Sequence, residues 1–480
     1  MTLTTILHVT LVLAITVRVI MKRPPTGVAL SWLFLVMAVP FGGAAAYLLI
    51  GERRIGGKRA RGLGHLRARY RHLSEEAVRE GLAEVDWTDH LPAARGLDRL
   101  GRQVAGTGTV GGSDFTLLSD PGAILQAIAR DVDNATTSVF MEFYIWNEGG
   151  YADEVHDALI RAAGRGVACR VLIDDLGWRP WWRSEQPRLL REAGVEVVPA
   201  LPVGLFRTLF GRADLRLHRK IVVIDGEIGW TGSMNMVDPR FFKQDAGVGE
   251  WTDAMARIEG PAVPILAATV VGDWVLETGD SIRDIVESTG LKLTRPRGNT
   301  HIQVVASGPG ETEDGLLLML LALINAAREE LILTTPYFVP DESLLRALRG
   351  AAGRGVDVTL ILPEKIDSFL SRHASRTYYD ELLDIGVKIQ LFHEGLLHTK
   401  SITVDGCLSM FGTVNLDMRS LWLNYEVSMF VYCREFATAL RDLQARYIAA
   451  SNQLDPDAWR ARPYYQRLID NTVRLVSPLL

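Results

Sequence analysis

The sequence predicts an α/β fold built from two copies of one domain about a pseudo-two-fold axis, preceded by two membrane-spanning helices. Three observations predict it. Short apolar runs alternate with helical patterns from Phe115 onward. A hexamer, Ala162-Ala163-Gly164-Arg165-Gly166-Val167, recurs letter for letter as Ala351-Ala352-Gly353-Arg354-Gly355-Val356. The first fifty residues carry almost no charge.

The N-terminal region comes first in the chain. Gly27 to Ile50 contains no charged side chain and is long enough to cross a bilayer, which takes about 20 apolar residues. Leu3 to Ile20 is a second candidate span, interrupted by His8 and Arg18, and Lys22-Arg23-Pro24-Pro25 connects the two. A cleaved signal peptide fits less well, because the basic n-region is missing and a second apolar segment follows at once. Residues 1–50 therefore read as a membrane anchor. Beyond it stand Arg53, Arg54, Lys58, Arg59, Arg61, Arg67, Arg69 and Arg71. The positive-inside rule puts everything after Ile50 on the cytoplasmic side. The same charges suit anionic headgroups.

Residues 51–115 read as a basic helical connector ending in the glycine-rich run Thr107 to Gly112. The two domains follow, at 116–290 and 300–480, separated by a breaker-rich stretch near Ser288 to Thr300. In the first, Val139 to Trp146 and Val167 to Ile173 are strand candidates around an amphipathic helix, Asp153 to Ala163. Leu190 to Val195 is echoed by Leu382 to Val387, and His218-Arg219-Lys220 by His398-Thr399-Lys400. Matched features in one order at nearly constant offset argue for duplication.

Composition narrows the function. Lysine and arginine total 52 against 57 acidic residues, a net charge of −5, which argues against a nucleic-acid binder. Cys169, Cys407 and Cys433 show no metal-ligand spacing and are too few for a disulfide framework. No Gly-x4-Gly-Lys-Ser/Thr loop supports nucleotide chemistry. His393-Glu394 and His398 approach a zinc-helix signature, but the spacing is one residue too long. No metal and no cofactor is expected.

The chemistry concentrates in two matched segments. The first runs His218-Arg219-Lys220, then Asp225-Gly226, then Gly232-Ser233-Met234-Asn235; the second runs His398-Thr399-Lys400, Asp405-Gly406 and Gly412-Thr413-Val414-Asn415. Each reads as a strand, an Asp-Gly turn and a returning strand. Alternation puts His218 with Lys220, and His398 with Lys400, on one face. Asp225 and Asp405 fall at the turns, on the other parity, so they anchor the hairpins. Ser233, Asn235, Thr413 and Asn415 add neutral donors at the strand ends. Two such halves facing each other would supply two imidazoles, two ammoniums and several amides or hydroxyls. That set suits a phosphodiester: cations and amides hold the oxygens while the histidines attack and move protons.

These paired His-x-Lys-x4-Asp segments resemble those of the phospholipase D superfamily. Met141 to Trp146, Trp251-Thr252-Asp253, Ile258 to Val263, Thr335 to Phe338, Asn415 to Ser420 and the final Ser477 to Leu480 further resemble bacterial cardiolipin synthases. The resemblance implies an inner-membrane enzyme that transfers a phosphatidyl group between two phosphatidylglycerol molecules, giving cardiolipin and glycerol through a phosphatidyl-histidine. It implies His218 as nucleophile and His398 as acid and then base. It also implies an acidic partner for each imidazole, for which Glu426 is the candidate for His398 and Asp253 for His218. The alternative within the class is a phospholipase D or another phosphatidyl transferase, such as a phosphatidylserine synthase, using water or another alcohol. A nuclease is disfavoured by the anchor and the charge, and a non-catalytic scaffold by the completeness of both motifs.

Overall fold

The computed structural model describes residues 2–24, 26–51, 85–202, 214–312 and 314–474, with isolated positions between 62 and 81. The basic stretch after Ile50, part of the connector and Ser477 to Leu480 lie outside the described residues. The chain divides into two units, residues 1–60 with 203–215, and the remainder.

In the first unit, helix α1 (Leu3–Lys22) is continuous and is the one described helix long and apolar enough to cross a membrane. The expected long span at 27–50 is corrected. It is two helices, α2 (Thr26–Ala38) and α3 (Gly42–Ile50), separated at Val39-Pro40-Phe41. Pro40 brings no backbone donor, and Phe41 has a positive φ of 58°, so the helical hydrogen-bond ladder stops there. The chain reverses at the break. The Trp32 and Tyr47 rings lie 5.5 Å apart, edge to face, although fifteen residues of straight helix would hold them about 22 Å apart.

The second unit is organised by one large sheet. Its strands are β1 (Val110–Leu118), β2 (Ser138–Phe143), β3 (Ala168–Asp174), β4 (Glu196–Ala200), β5 (Arg216–Leu217), β6 (Ile221–Ile224), β7 (Ile228–Gly232), β8 (Trp251–Thr252) and β9 (Met255–Glu259). Then come β10 (Thr300–Ser307), β11 (Glu330–Thr334), β12 (Phe338–Val339), β13 (Asp357–Pro363), β14 (Lys388–Phe392), β15 (Leu396–Leu397), β16 (Ser401–Val404), β17 (Leu408–Gly412), β18 (Leu416–Asp417), β19 (Asn424–Val431) and β20 (Ser451–Gln453). The order along the sheet is β20-β14-β13-β11-β16-β17-β19-β10-β1-β9-β7-β6-β2-β3-β4, with β5 added beside β19 and the pairs β12–β18 and β8–β15 separate. Read outward from the β10–β1 seam, the two halves have the same plan: β19, β17, β16, β11, β13, β14 answer β9, β7, β6, β2, β3, β4. In each half a parallel trio meets an antiparallel hairpin, β2-β3-β4 with β6-β7 and β11-β13-β14 with β16-β17.

The repeated hexamer closes a helix in each copy. Helix α6 (Tyr151–Gly164) and helix α9 (Glu342–Gly353) both end at an Arg-Gly turn, with Gly166 and Gly355 at φ +87°, and each leads into a parallel strand. Helices α4 (Pro92–Ala105), α5 (Pro121–Asp133), α7 (Val263–Thr278) and α8 (Gly315–Ala326) cover the sheet.

The connector's end at residue 115 is also corrected, because β1 starts at Val110. The glycine-rich run expected to end the connector holds a register shift within β1 between Val110 and Ser113. Gly112 has φ +85°, and a Cβ there would lie 2.7 Å from Pro296. Helix α4, also read as connector, packs Ala94 and Leu97 into the second domain's core beside Leu316, Leu320 and Leu323 of α8. Each such leucine, fully buried, contributes about 1.5–3 kcal/mol.

Candidate active site

The site is built where the two copies exchange short strands. Strand β5 pairs in parallel with the start of β19, matching Arg216 to Asn424 and Leu217 to Tyr425. Strand β15 pairs in parallel with β8, matching Leu396 to Trp251 and Leu397 to Thr252. Each motif therefore begins on backbone held by the other half. The N–H of His218 donates to the Tyr425 carbonyl at 2.9 Å, and that of His398 to the Thr252 carbonyl at 2.8 Å. Asp174, at the end of β3, fixes the entry by accepting from the Leu217 N–H at 2.8 Å.

This exchange overturns the expected acid–imidazole pairing. Nδ1 of His218 lies 2.9 Å from Oε2 of Glu426, and Nδ1 of His398 lies 2.7 Å from Oδ1 of Asp253. The sequence reading assigned Glu426 to His398 and Asp253 to His218. The partners are crossed, because β5 lies beside the strand carrying Glu426, and β8, just before Asp253, lies beside β15. All four groups are buried. Ser233 and Thr413 complete the crossing: each hydroxyl donates at 2.5 Å to the carboxylate on the strand beside it, Asp253 and Glu426 respectively.

The environment decides the charges. Burial pushes His218 down to about 4, against the pull of Glu426, and Lys220 adds to the fall. Burial also takes His398 to about 4, with Lys400 adding and Asp253 opposing. Both imidazoles are thus neutral near pH 7. With Nδ1–H committed to a carboxylate, the Nε2 lone pair is left for chemistry. Burial alone would raise the two carboxyls, but His218 and Lys220 outweigh it for Glu426, and His398 and Lys400 for Asp253, so both sit below their usual values. Lys220 falls to about 8 and Lys400 to about 7, mainly through burial. Lys220 also lowers His398, and Lys400 lowers His218, so each imidazole feels the lysine of the other copy.

The remaining motif residues divide by position. Nζ of each lysine donates to the carbonyl of its own histidine, at 2.6 Å for Lys220 and 2.5 Å for Lys400. Oδ1 of Asn235 accepts from the Ile145 N–H at 3.1 Å, while its Nδ2 is buried without a protein partner. Asn415, the sequence equivalent in the second copy, is also buried. Asp225 and Asp405 lie at the hairpin turns with φ +53° and +51°. Asp225 accepts three backbone N–H bonds, from Thr136, Thr137 and Ser138; Asp405 accepts three, from Arg328, Glu329 and Glu330. Each ties its hairpin to the start of the neighbouring parallel strand.

Several side chains at the site were not singled out in the sequence. The Tyr144 ring stands edge-on to His218 at 5.2 Å, and the Trp251 ring lies 4.4 Å from His398. Arg219 is buried, donates to the Glu426 carbonyl at 2.9 Å, pairs with Asp273 and lies over the Tyr425 ring. Tyr144 and Trp251 sat within the segments that carried the family resemblance, and Arg219 within the motif itself. Their contacts depend on the other half of the chain, which no local pattern displays.

Comparison with known proteins agrees with this plan. Residues 128–247 and 320–447 match the family described as cardiolipin synthase, PLD-like domain, once in each half, and residues 10–52 match the phospholipase D-nuclease N-terminal family. The chain is 44% identical to cardiolipin synthase A of Pectobacterium carotovorum over 473 residues, spanning 98% of this chain and 96% of that one. The chain belongs to the cardiolipin synthase family of the phospholipase D superfamily. Cardiolipin synthase A of Serratia proteamaculans matches at the same identity and coverage. Among solved structures, phosphatidylserine synthase of Haemophilus influenzae superposes with a TM-score of 0.58 at 13% identity, over 81% of this chain and all of that one. That likeness bears on the fold alone.

Proposed function

We propose that this enzyme is a phosphatidyltransferase that joins two phosphatidylglycerol molecules into cardiolipin, releasing glycerol. The observation that carries the reading is the crossed pair of buried, neutral imidazoles flanked by two buried lysines and the unpartnered Asn235 amide. His218, oriented by Glu426, attacks the phosphorus of the first lipid. Lys220, Lys400 and Asn235 hold the phosphoryl oxygens as charge builds on them. His398, handed a proton at Nε2 by Lys400, the lysine lowered to about 7, gives it to the departing glycerol oxygen, leaving a phosphatidyl-histidine. It then takes the proton from a hydroxyl of the second lipid, whose oxygen attacks phosphorus and frees His218. One phosphodiester replaces another, so no nucleotide is needed.

The assay is purified enzyme with phosphatidylglycerol as the sole lipid. Cardiolipin and glycerol in equal amounts are expected. Phosphatidic acid without cardiolipin would make water the acceptor and overturn the synthase reading.

For the anchor, α1 spans the membrane and α2 and α3 fold back within the apolar layer, with the catalytic domains cytoplasmic. Thirteen residues of α2 reach only about 20 Å, short of a hydrocarbon core near 30 Å. On this reading Lys22, Arg23 and the basic stretch after Ile50 meet the same cytoplasmic face. A cysteine placed at Thr2 should then react with an impermeant reagent from outside the cell; protection there would restore two full crossings.

A further inference from the structure

Helix α11 (Tyr464–Arg474) is built inside out. Its carboxylate is buried and its apolar side chains are not. Asp470 is 2% exposed and lies 2.6 Å from Nδ1 of His373, 3.2 Å from Arg462 and 3.4 Å from Arg376. His373 and Arg376 belong to α10 (Phe369–Arg376), so Asp470 clamps the two helices together. On the outer side Tyr464, Tyr465, Leu468 and Ile469 are 78%, 61%, 54% and 42% exposed. Residues i, i+1, i+4 and i+5 form one stripe. Phe369 and Leu370, at the start of α10, are exposed as well. A monomeric soluble surface rarely gathers so many large apolar groups on one helix face.

The charge around the stripe selects its partner. Arg372, Arg467 and Arg474 are exposed, and the one acid on either helix is the buried Asp470. Tyrosines beside leucines, ringed by cations, are the composition of a helix lying in a headgroup layer. The face also adjoins the catalytic centre. Asp367, two residues before Phe369, accepts from Tyr337 Oη at 2.7 Å and from Lys243 Nζ at 3.2 Å. Lys243 Nζ lies 5.4 Å from the centre of the Trp251 ring, the ring packed against His398.

We propose that the outer face of α10 and α11 docks on the surface of an anionic lipid bilayer and sets the rim of the active site against it. The inference rests on a lipid substrate, as proposed above, and adds where the enzyme takes that lipid from. The face enters the headgroup region side-on, with its arginines at the phosphates and Leu468 and Ile469 at the acyl boundary.

The test uses full-length enzyme and two forms of one substrate: long-chain phosphatidylglycerol in phosphatidylcholine vesicles, and short-chain phosphatidylglycerol dispersed as monomers. The double substitution Leu468→Asp with Ile469→Asp should lower kcat/KM on vesicles by at least about tenfold, with the loss in KM. Turnover of the monomeric lipid should stay within about twofold, which also certifies the fold. Equal loss on both forms, or no loss on vesicles, would overturn the proposal. So would a change in oligomeric state in detergent, which would make the face a contact between copies. Should wild-type enzyme turn over neither substrate, the phosphatidyltransfer reading fails. Hydrogen exchange then decides docking: slower exchange over 464–474 with phosphatidylglycerol vesicles supports it, and unchanged exchange refutes it.

Discussion

The two halves of the site share a plan but not an environment. His218 stands beside Tyr144, with Arg219 locked beneath it by Asp273 and the Glu426 carbonyl. His398 packs on Trp251, and the residue equivalent to Arg219 is Thr399, whose hydroxyl meets Tyr447 at 2.9 Å. Lys220 is supported by four carboxylates, Glu426, Asp253, Asp174 and Glu142; Lys400 is supported by Asp253, Glu426 and Asp417 and opposed by Lys220. The second-copy lysine therefore holds its proton less firmly. Duplication made two similar halves, and the unlike neighbours allow two unlike roles, an attacking imidazole and a proton carrier.

The largest effect that would break the comparison comes from the imidazoles. His218→Ala and His398→Ala should each lower kcat by about 10⁴-fold or more, with thermal melts near wild type. Substantial activity in either variant would mean the halves work independently. Glu426→Gln and Asp253→Asn should cost about 10²- to 10⁴-fold each, because the imidazole loses its fixed tautomer. The crossed geometry sharpens this. The Glu426→Gln effect should disappear in a His218→Ala background and persist in a His398→Ala background, judged on residual rates.

The pH profile separates lysines from histidines. The profile of kcat/KM reports the free enzyme. With both imidazoles near 4, its acid limb should lie well below the 6.5 of free histidine. The alkaline limb should fall near pH 7–8 as Lys400 and then Lys220 lose their protons. Stability follows the histidines in the acid range. The unfolded state binds more protons than the folded state between about 6.5 and 4, so stability should drop as pH falls through that window. An acid limb near 6.5 would show that the imidazoles are not desolvated.

The smallest effect is expected at the turns. Asp225→Ala or Asp405→Ala removes three accepted N–H bonds and places Ala at a positive φ, costing about 1–3 kcal/mol of stability. The melting midpoint should drop while kcat of the folded fraction changes less than in any histidine or carboxylate variant.

Much of this was legible in the sequence. The duplicated motif, the Asp-Gly turns and the alternation of strand and helix are local patterns, and the sheet carries each of them twice. The crossed carboxylates were not legible. The spacing from His398 to Glu426 is 28 residues and from His218 to Asp253 is 35, and sequence distance favoured pairing within each copy. The pairing is set instead by two-residue strands, β5 against β19 and β8 against β15, whose contacts run across the chain. Helix α4 was misplaced for the same reason, since its apolar face completes a core more than two hundred residues away. The helix break is legible at Pro40 itself, although the charge-free length from Gly27 to Ile50 points to one span.

The central claim is that each catalytic imidazole is held by a carboxylate from the other copy. Nitrogen NMR of enzyme labelled at histidine tests it directly, by following the Nδ1–H resonances of His218 and His398 in wild type, Glu426→Gln and Asp253→Asn. The geometry predicts that Glu426→Gln shifts His218 and leaves His398 nearly unchanged, and that Asp253→Asn does the reverse. The opposite pattern, Glu426→Gln acting on His398, would contradict the account.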